Sequence, residues 1–326
     1  MARWPKLFLN GTAVYVSGRM EEGLPMVPLA FMNELIWSCL AMGAMLYDVK
    51  ICCLTFEGNH FHFIFVVNDP EAISKFVGYV KQEISHRINR LLKQKKKTNW
   101  CKGFDSPTVL DVETVVEKFA YIFTNPVDDC LVEHVDQFKG VTSWHMFKDK
   151  QFSRKCRYTS RDSTPCLYDP KRPWLENKRL LKEIEEENPK ELTIELEPYA
   201  WKKCFAETCN LSDDQIHETL LNAVRIMESD LREQHIKNKK AFAGFTALCH
   251  QSMVKRYTPT KFGKRMICLS KSIERRQQFI GEFKAMCALA RQVYENWKGG
   301  DYSIPFPPGL FAPPPPRLCN IVPLPI

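Results

Sequence analysis

What this chain does without narrows it first. No stretch of the sequence approaches the ~18 consecutive apolar residues of a membrane-spanning helix. Its opening, Met1-Ala2-Arg3-Trp4-Pro5-Lys6, runs into no long apolar segment, so no membrane partner and no secretory leader are expected. The 13 cysteines are odd in number and scattered, and no two have Cys-x-x-Cys spacing. Several, such as Cys39, Cys52, Cys53 and Cys287, sit inside apolar runs, which argues against a disulfide framework and for buried thiols in a reducing compartment. There is no G-x-x-x-x-G-K-[ST] loop, so no nucleotide cofactor is expected, and there is no internal repeat.

What is present is an ordinary globular composition, 44% hydrophobic and 26% charged over 326 residues, long enough for two domains. The net charge of +8 is unevenly placed. Residues 1–150 carry 17 basic and 17 acidic side chains, whereas residues 151–326 carry 29 and 21. Within the neutral half, Arg87, Arg90, Lys93, Lys95, Lys96, Lys97 and Lys102 follow one another with no acid among them, and Trp100 lies in their midst. A second basic region, 231–280, holds 12 Lys and Arg against Glu233 and Glu274. Each cluster alone is as well explained by a solvated helix face; two in one chain point to a polyanion.

Residues 12–17 read as a strand and Pro28 to about Gly43 as a helix with Phe31, Leu35, Cys39 and Leu40 at helical spacing. Residues 47–56 and 60–67 read as two strands around the turn chemistry of Glu57-Gly58-Asn59. Asp69-Pro70-Glu71 opens a long helix whose stripe is Ile73, Phe76, Val77, Val80, Ile84, Ile88 and Leu91. A short strand is expected at 107–110, then a helix from Asp111 that stops by Pro126. This order predicts a ferredoxin-like α+β layer, an antiparallel sheet with helices on one face. We place that domain at 1–147, a linker at 148–190, a basic helical domain at 191–300 and a proline-rich tail at 301–326. Ser212 and Gln215 have capping-box spacing at the start of a helix.

Two groups of residues could carry chemistry. In His60-Phe61-His62 the strand alternation puts both imidazoles on one face with Ile64 and Val66, and Phe61, Phe63 and Phe65 on the other. Paired imidazoles past a turn can chelate a divalent cation, or can simply be half-buried strand histidines. In the helix from Asp111, Val112, Val115, Val116, Phe119 and Phe123 form the apolar stripe. Tyr121 lies off it, with Asn125 one turn on, close enough to meet the tyrosine hydroxyl. A surface tyrosine and a helix-terminal asparagine are the plainer alternative.

Taken together, these residues resemble a family. His60-Phe61-His62 is similar to the HUH motif of single-tyrosine transposases and nucleases, and Tyr121-Ile-Phe-Thr-Asn125-Pro126-Val127 resembles the tyrosine-helix signature of the REP-associated, insertion-sequence-200-like transposases. Ala13-Val-Tyr-Val-Ser-Gly-Arg19, Leu131-Val132 and Ser143-Trp144 are similar as well, so the resemblance spans roughly 10–147. Asp128-Asp129 after the Asn-Pro pair and Gly58 before Asn59 depart from it. The resemblance implies a metal-dependent single-stranded DNA transesterase. In that reading His60, His62 and Asn125 hold Mg²⁺ or Mn²⁺, and Tyr121 is the catalytic nucleophile that forms a 5′-phosphotyrosine. The basic residues from Arg87 to Lys102, with Trp100, then bind single-stranded or hairpin DNA. It also implies a bacterial cytoplasmic protein at the nucleoid, monomeric or homodimeric. The competing expectation is a catalytically inactive ferredoxin-like domain that binds nucleic acid.

Overall fold

A computed structural model describes residues 5–21, 23, 26–95, 98–162, 173–187, 190–255 and 265–316. In chain order its elements are β1 (Ala13–Arg19), α1 (Ala30–Leu46), β2 (Lys50–Glu57), β3 (His60–Val66), α2 (Pro70–Leu91), β4 (Thr108–Val109), α3 (Val112–Asp128), β5 (Val141–Thr142), α4 (Trp144–Lys148) and β6 (Ser153–Arg157). The second half adds α5 (Pro173–Glu187), β7 (Glu191–Glu195), α6 (Asp213–Lys237), α7 (Phe245–Cys249), β8 (Cys268–Leu269) and α8 (Ile273–Lys298).

The main sheet runs β5-β2-β3-β1-β4-β8. Its inner four strands, β2-β3-β1-β4, are antiparallel in ferredoxin-like order, with α1 and α2 on one face. The expectation of helices on one face only is corrected: α3 covers the other, and α6 packs outside α3. Phe61, Phe63 and Phe65 enter the core with α1 and α2, whereas Ile64 and Val66 enter the core with α3 and α6. A sheet apolar on both faces must be covered twice, and the alternation in β3 already carries that demand.

α2 starts where Asp69 accepts the Glu71 amide at 2.8 Å, and all seven residues of its expected stripe are buried. α3 starts where the Asp111 carboxylate accepts the Thr114 amide at 2.8 Å. Contrary to expectation, α3 continues through Pro126 to Asp128. In the last turn the missing proline N–H removes a single ladder bond, and the Asn125 carbonyl still accepts the Asp129 amide at 2.9 Å. Cys130, with φ of 56°, then turns the chain away. α6 opens with the expected capping box of Ser212 and Gln215.

The described parts of the segment expected to link two domains are instead built onto the first. β6 pairs with β7 in a second, two-stranded sheet, and α1 packs against β6, β7 and α5. Nor is the second half a separate body: β8 adds to the main sheet in parallel with β4, and Leu7 near the start bridges Leu310 near the end. No helix among the described residues is long and apolar enough to cross a membrane. Every described cysteine is free.

Candidate active site

The hairpin of β2 and β3 creates the site. A bulge in β2 at Ile51/Cys53 turns Cys52 and Cys53 both toward α3, which resets the alternation for the rest of the strand. Thr55 and Glu57 then face α3, cross-strand from His62 and His60. Glu57, read from the sequence as part of the turn, is therefore the last residue of the strand. On the other side of β3, β1 sets Ser17 opposite His62 and Arg19 opposite His60, and Tyr15 lies on the same face.

α3 brings Tyr121 and Asn125 over this face. Asn125, only 2% exposed, donates from Nδ2 to the Tyr121 hydroxyl at 3.3 Å, and its Oδ1 lies 2.8 Å from His60 Nε2. The His62 and Tyr121 rings meet edge-to-face with centroids 5.5 Å apart. His60 Nδ1 lies 2.7 Å from Asn59 Oδ1. His62 Nδ1 lies 2.6 Å from the Tyr15 hydroxyl, and the two rings stack. The four residues singled out from the sequence, His60, His62, Tyr121 and Asn125, thus converge on one cleft of about 750 Å³.

The electrostatics of the cleft follow from its burial. Desolvation, with His60 next in effect, pushes the His62 pKa well below the ordinary imidazole value, so the ring is neutral at neutral pH. Burial, reinforced by the charges of Asp128, Asp129 and Glu57, pushes the Tyr121 phenol up to about 12. Burial, then Asp129 and Asp128, also raises the Glu57 carboxyl well above its ordinary range.

The donor set fits a divalent cation. His62 Nε2 is buried and has no hydrogen-bond partner, the state of an imidazole lone pair awaiting a ligand. Its neighbours His60 and Asn125 offer a second imidazole and an amide oxygen, a set that accepts Mg²⁺ and suits Mn²⁺ well.

The basic cluster divides. Lys102 lines the cleft. Lys93 and Lys95 are exposed at the end of α2, and Arg90 donates to the Asp162 carbonyl at 2.7 Å. Arg87 and Trp100 are corrected: they are core residues, 3% and 2% exposed. Arg87 donates to Glu83 at 2.6 Å and to the Thr159 carbonyl, and the Trp100 indole donates to the Lys81 carbonyl at 2.9 Å against the Phe61 ring. The Arg87 side chain is turned into the core, and Trp100 shows only an edge in a pocket it shares with Lys81 and Lys102. Lys96 and Lys97 fall outside the described residues.

Sequence reasoning missed Glu57, Tyr15, Asp129 and Arg265. Arg265 comes from the second half, lines the cleft and pairs with Asp105 at 3.1 Å. The hairpin register could have found Glu57, and strand alternation could have found Tyr15. Nothing local marks Arg265, which the long return of β8 brings in.

Residues 32–125 match the family model described as transposase, IS200 like. The matched span ends on Asn125 and so holds both histidines, the tyrosine and the asparagine; the resemblance read from the sequence is borne out. The fold is similar to a solved REP-associated tyrosine transposase bound to a REP hairpin, with 14% identity over 46% of this chain and 87% of that one and a TM-score of 0.40. No curated protein matches the chain.

Proposed function

We propose that the IS200-like segment is a DNA transposase whose cleft cuts and rejoins single-stranded or hairpin DNA through Tyr121. The observation that carries this reading is the Asn125 side chain, one amide joining the tyrosine hydroxyl on one side to the His60 imidazole on the other. A merely structural asparagine has no reason to couple a phenol to a histidine pair inside a polar cleft.

In this reading His60, His62 and Asn125 hold Mg²⁺ or Mn²⁺, which supplies Lewis-acid polarisation of the scissile phosphate. The chain's own residues do the rest. The Tyr121 oxygen attacks phosphorus, the bond to the 3′ oxygen breaks, and a 5′-phosphotyrosine and a free 3′-OH result. One phosphoester replaces another, so a 3′-OH can reverse the step and join strands without a nucleotide cofactor. With its pKa near 12, Tyr121 enters protonated at neutral pH. The Asn125 N–H donates to the Tyr121 oxygen and so favours the phenolate as the phenolic proton is given up ahead of attack, and a proton ends on the departing 3′ oxygen. Lys102, Arg19 and Arg265 along the cleft suit the approaching backbone phosphates.

Incubating the full chain with a labelled oligonucleotide and Mn²⁺ tests the proposal. The expected result is a covalent protein–DNA adduct that EDTA suppresses. Tyr121→Phe should abolish the adduct, a loss of at least ~10³-fold, while changing DNA affinity less than about threefold. An adduct formed equally by the Phe variant would reject the nucleophile. No adduct with the wild type, beside intact DNA binding, would favour the inactive nucleic-acid-binding domain.

A further inference from the structure

The histidine pair is not the whole of the donor cluster. Glu57 ends β2 directly across from His60, is 2% exposed, and neither of its carboxylate oxygens has a hydrogen-bond partner. Its Oε2 lies 3.9 Å from His60 Nε2. Just past α3, Asp129 completes a trio with them: one ligand atom each from Glu57, His60 and Asp129 lie within 4.8 Å of one another. Asn125 Oδ1 stands 2.8 Å from the same His60 nitrogen, and His62 Nε2 is the other buried, unpartnered donor on this face.

Two features of this cluster call for a cation. An orphaned carboxylate in the interior costs several kcal/mol unless it is neutralised. Among the described residues, no lysine or arginine is bonded to Glu57, and its nearest basic partner is His60. In addition, both nitrogens of His60 face amide oxygens, Asn59 Oδ1 and Asn125 Oδ1, but a neutral imidazole has one N–H to donate. One of the two contacts therefore sets an imidazole lone pair against an oxygen lone pair; with the proton on Nδ1, donated to Asn59, it is the Nε2 contact to Asn125 at 2.8 Å. Two donors bound cis at ~2.1 Å to one octahedral cation stand about 3 Å apart. The pair has the spacing of two ligands of a shared ion.

We propose that Glu57 and Asp129 are further donors to the cation held by His60, His62 and Asn125. The inference rests on the metal-site reading of the proposed function and extends it. Two imidazoles and an amide are neutral and leave a divalent ion's charge uncompensated until a phosphate arrives. One buried carboxylate and one at the rim cancel that charge, so the site binds Mn²⁺ before any DNA is present. It does so with hard oxygen donors in the majority, the set that divalent Mn and Mg prefer. The acidic pair after Pro126, a departure from the family pattern, then supplies a ligand.

Titrating the full chain with Mn²⁺ in the absence of DNA, read by calorimetry and by loss of the free-ion electron paramagnetic resonance signal, tests this. The wild type should bind one ion. Glu57→Gln should weaken binding at least ~10-fold and Asp129→Asn several-fold, with the Mn²⁺-induced rise in melting temperature shrinking in step. Should Glu57→Gln fail to fold, Asp129→Asn and Glu57→Asp carry the test. Wild-type binding left unchanged by every carboxylate variant would overturn the proposal and leave Glu57 as a protonated structural acid, as would a wild type that takes up Mn²⁺ only with DNA. Both results are separate from failure of the nucleophile, which shows as an adduct in Tyr121→Phe at unaltered Mn²⁺ affinity.

Discussion

At the scale of single residues, the most informative contact after Asn125 is the one between Tyr15 and His62. A histidine that uses Nε2 for a cation needs its proton on Nδ1, and a hydrogen-bond acceptor at Nδ1 fixes that tautomer. The Tyr15 hydroxyl at 2.6 Å, on a ring stacked with the imidazole, can accept that proton's hydrogen bond. Tyr15→Phe keeps the stack and removes the acceptor, so it should cost about 10-fold in Mn²⁺ affinity with little change in melting temperature. Calorimetric titration checks it; unaltered affinity would mean that the stack alone sets the ring. That His60 shares a face with His62, and Tyr121 a side of its helix with Asn125, was legible in the sequence because periods of 2 and 3.6 assign faces without coordinates; that the two pairs belong together was implied only by the resemblance to the HUH transposases. Glu57 was missed because Glu57-Gly58-Asn59 reads as turn chemistry, which ends the strand one residue early and hides the pairing of Glu57 with His60 across the hairpin.

At the scale of elements, α2 shows how a charge run misleads. Arg87 heads the basic cluster in sequence, yet it is turned inward, where it and Arg161 share the Glu83 carboxylate and tie α2 to the segment that follows β6 at Thr159. Those two arginines hold the Glu83 pKa below its ordinary value despite burial. A carboxyl with a depressed folded-state pKa stabilises the fold above its unfolded pKa, and that contribution is lost as pH falls through the folded value. Arg87→Ala leaves a buried carboxylate with one partner and should cost about 3 kcal/mol, seen as a lower urea midpoint, without altering DNA affinity per folded molecule. An intact midpoint would return Arg87 to the surface cluster. Charge counting sees a linear string; the helix distributes it around a cylinder, so Lys93 and Lys95 stay outside while Arg87 does not.

For the whole molecule, the division into a catalytic first half and an appended second half gives way to one interleaved body. The second half supplies the cover of α3, the sixth strand and one cleft arginine. Removing residues 151–326 would strip Ile216, Leu220, Leu221 and Val224 from the outer side of α3, so its effect on DNA binding would report unfolding as well as lost contacts. The role of the second basic region is better tested in the full chain at the end of α6, where Lys237, Lys239 and Lys240 are exposed and Lys240 is near enough to Asp129 to act on its titration. Replacing these three with Gln should lower the salt slope of single-strand affinity by about 2, from roughly 0.7 per phosphate contact. An unchanged slope would free that region from any part in DNA contact.

The sixth strand has a consequence in time. Thr108 and Leu110 donate to the carbonyls of Ile267 and Leu269, and Asp111, while capping α3, also accepts Ser270 and Lys271. A ribosome making this chain therefore releases the tyrosine about 150 residues, and the histidines about 200, before the segment that closes β4 and delivers Arg265. Over that interval the nascent sheet has an open edge, and closing it means closing a very long loop, which is a slow step. Under the proposed function, cutting competence on this topology is a property that the polypeptide gains only after β8 has been made.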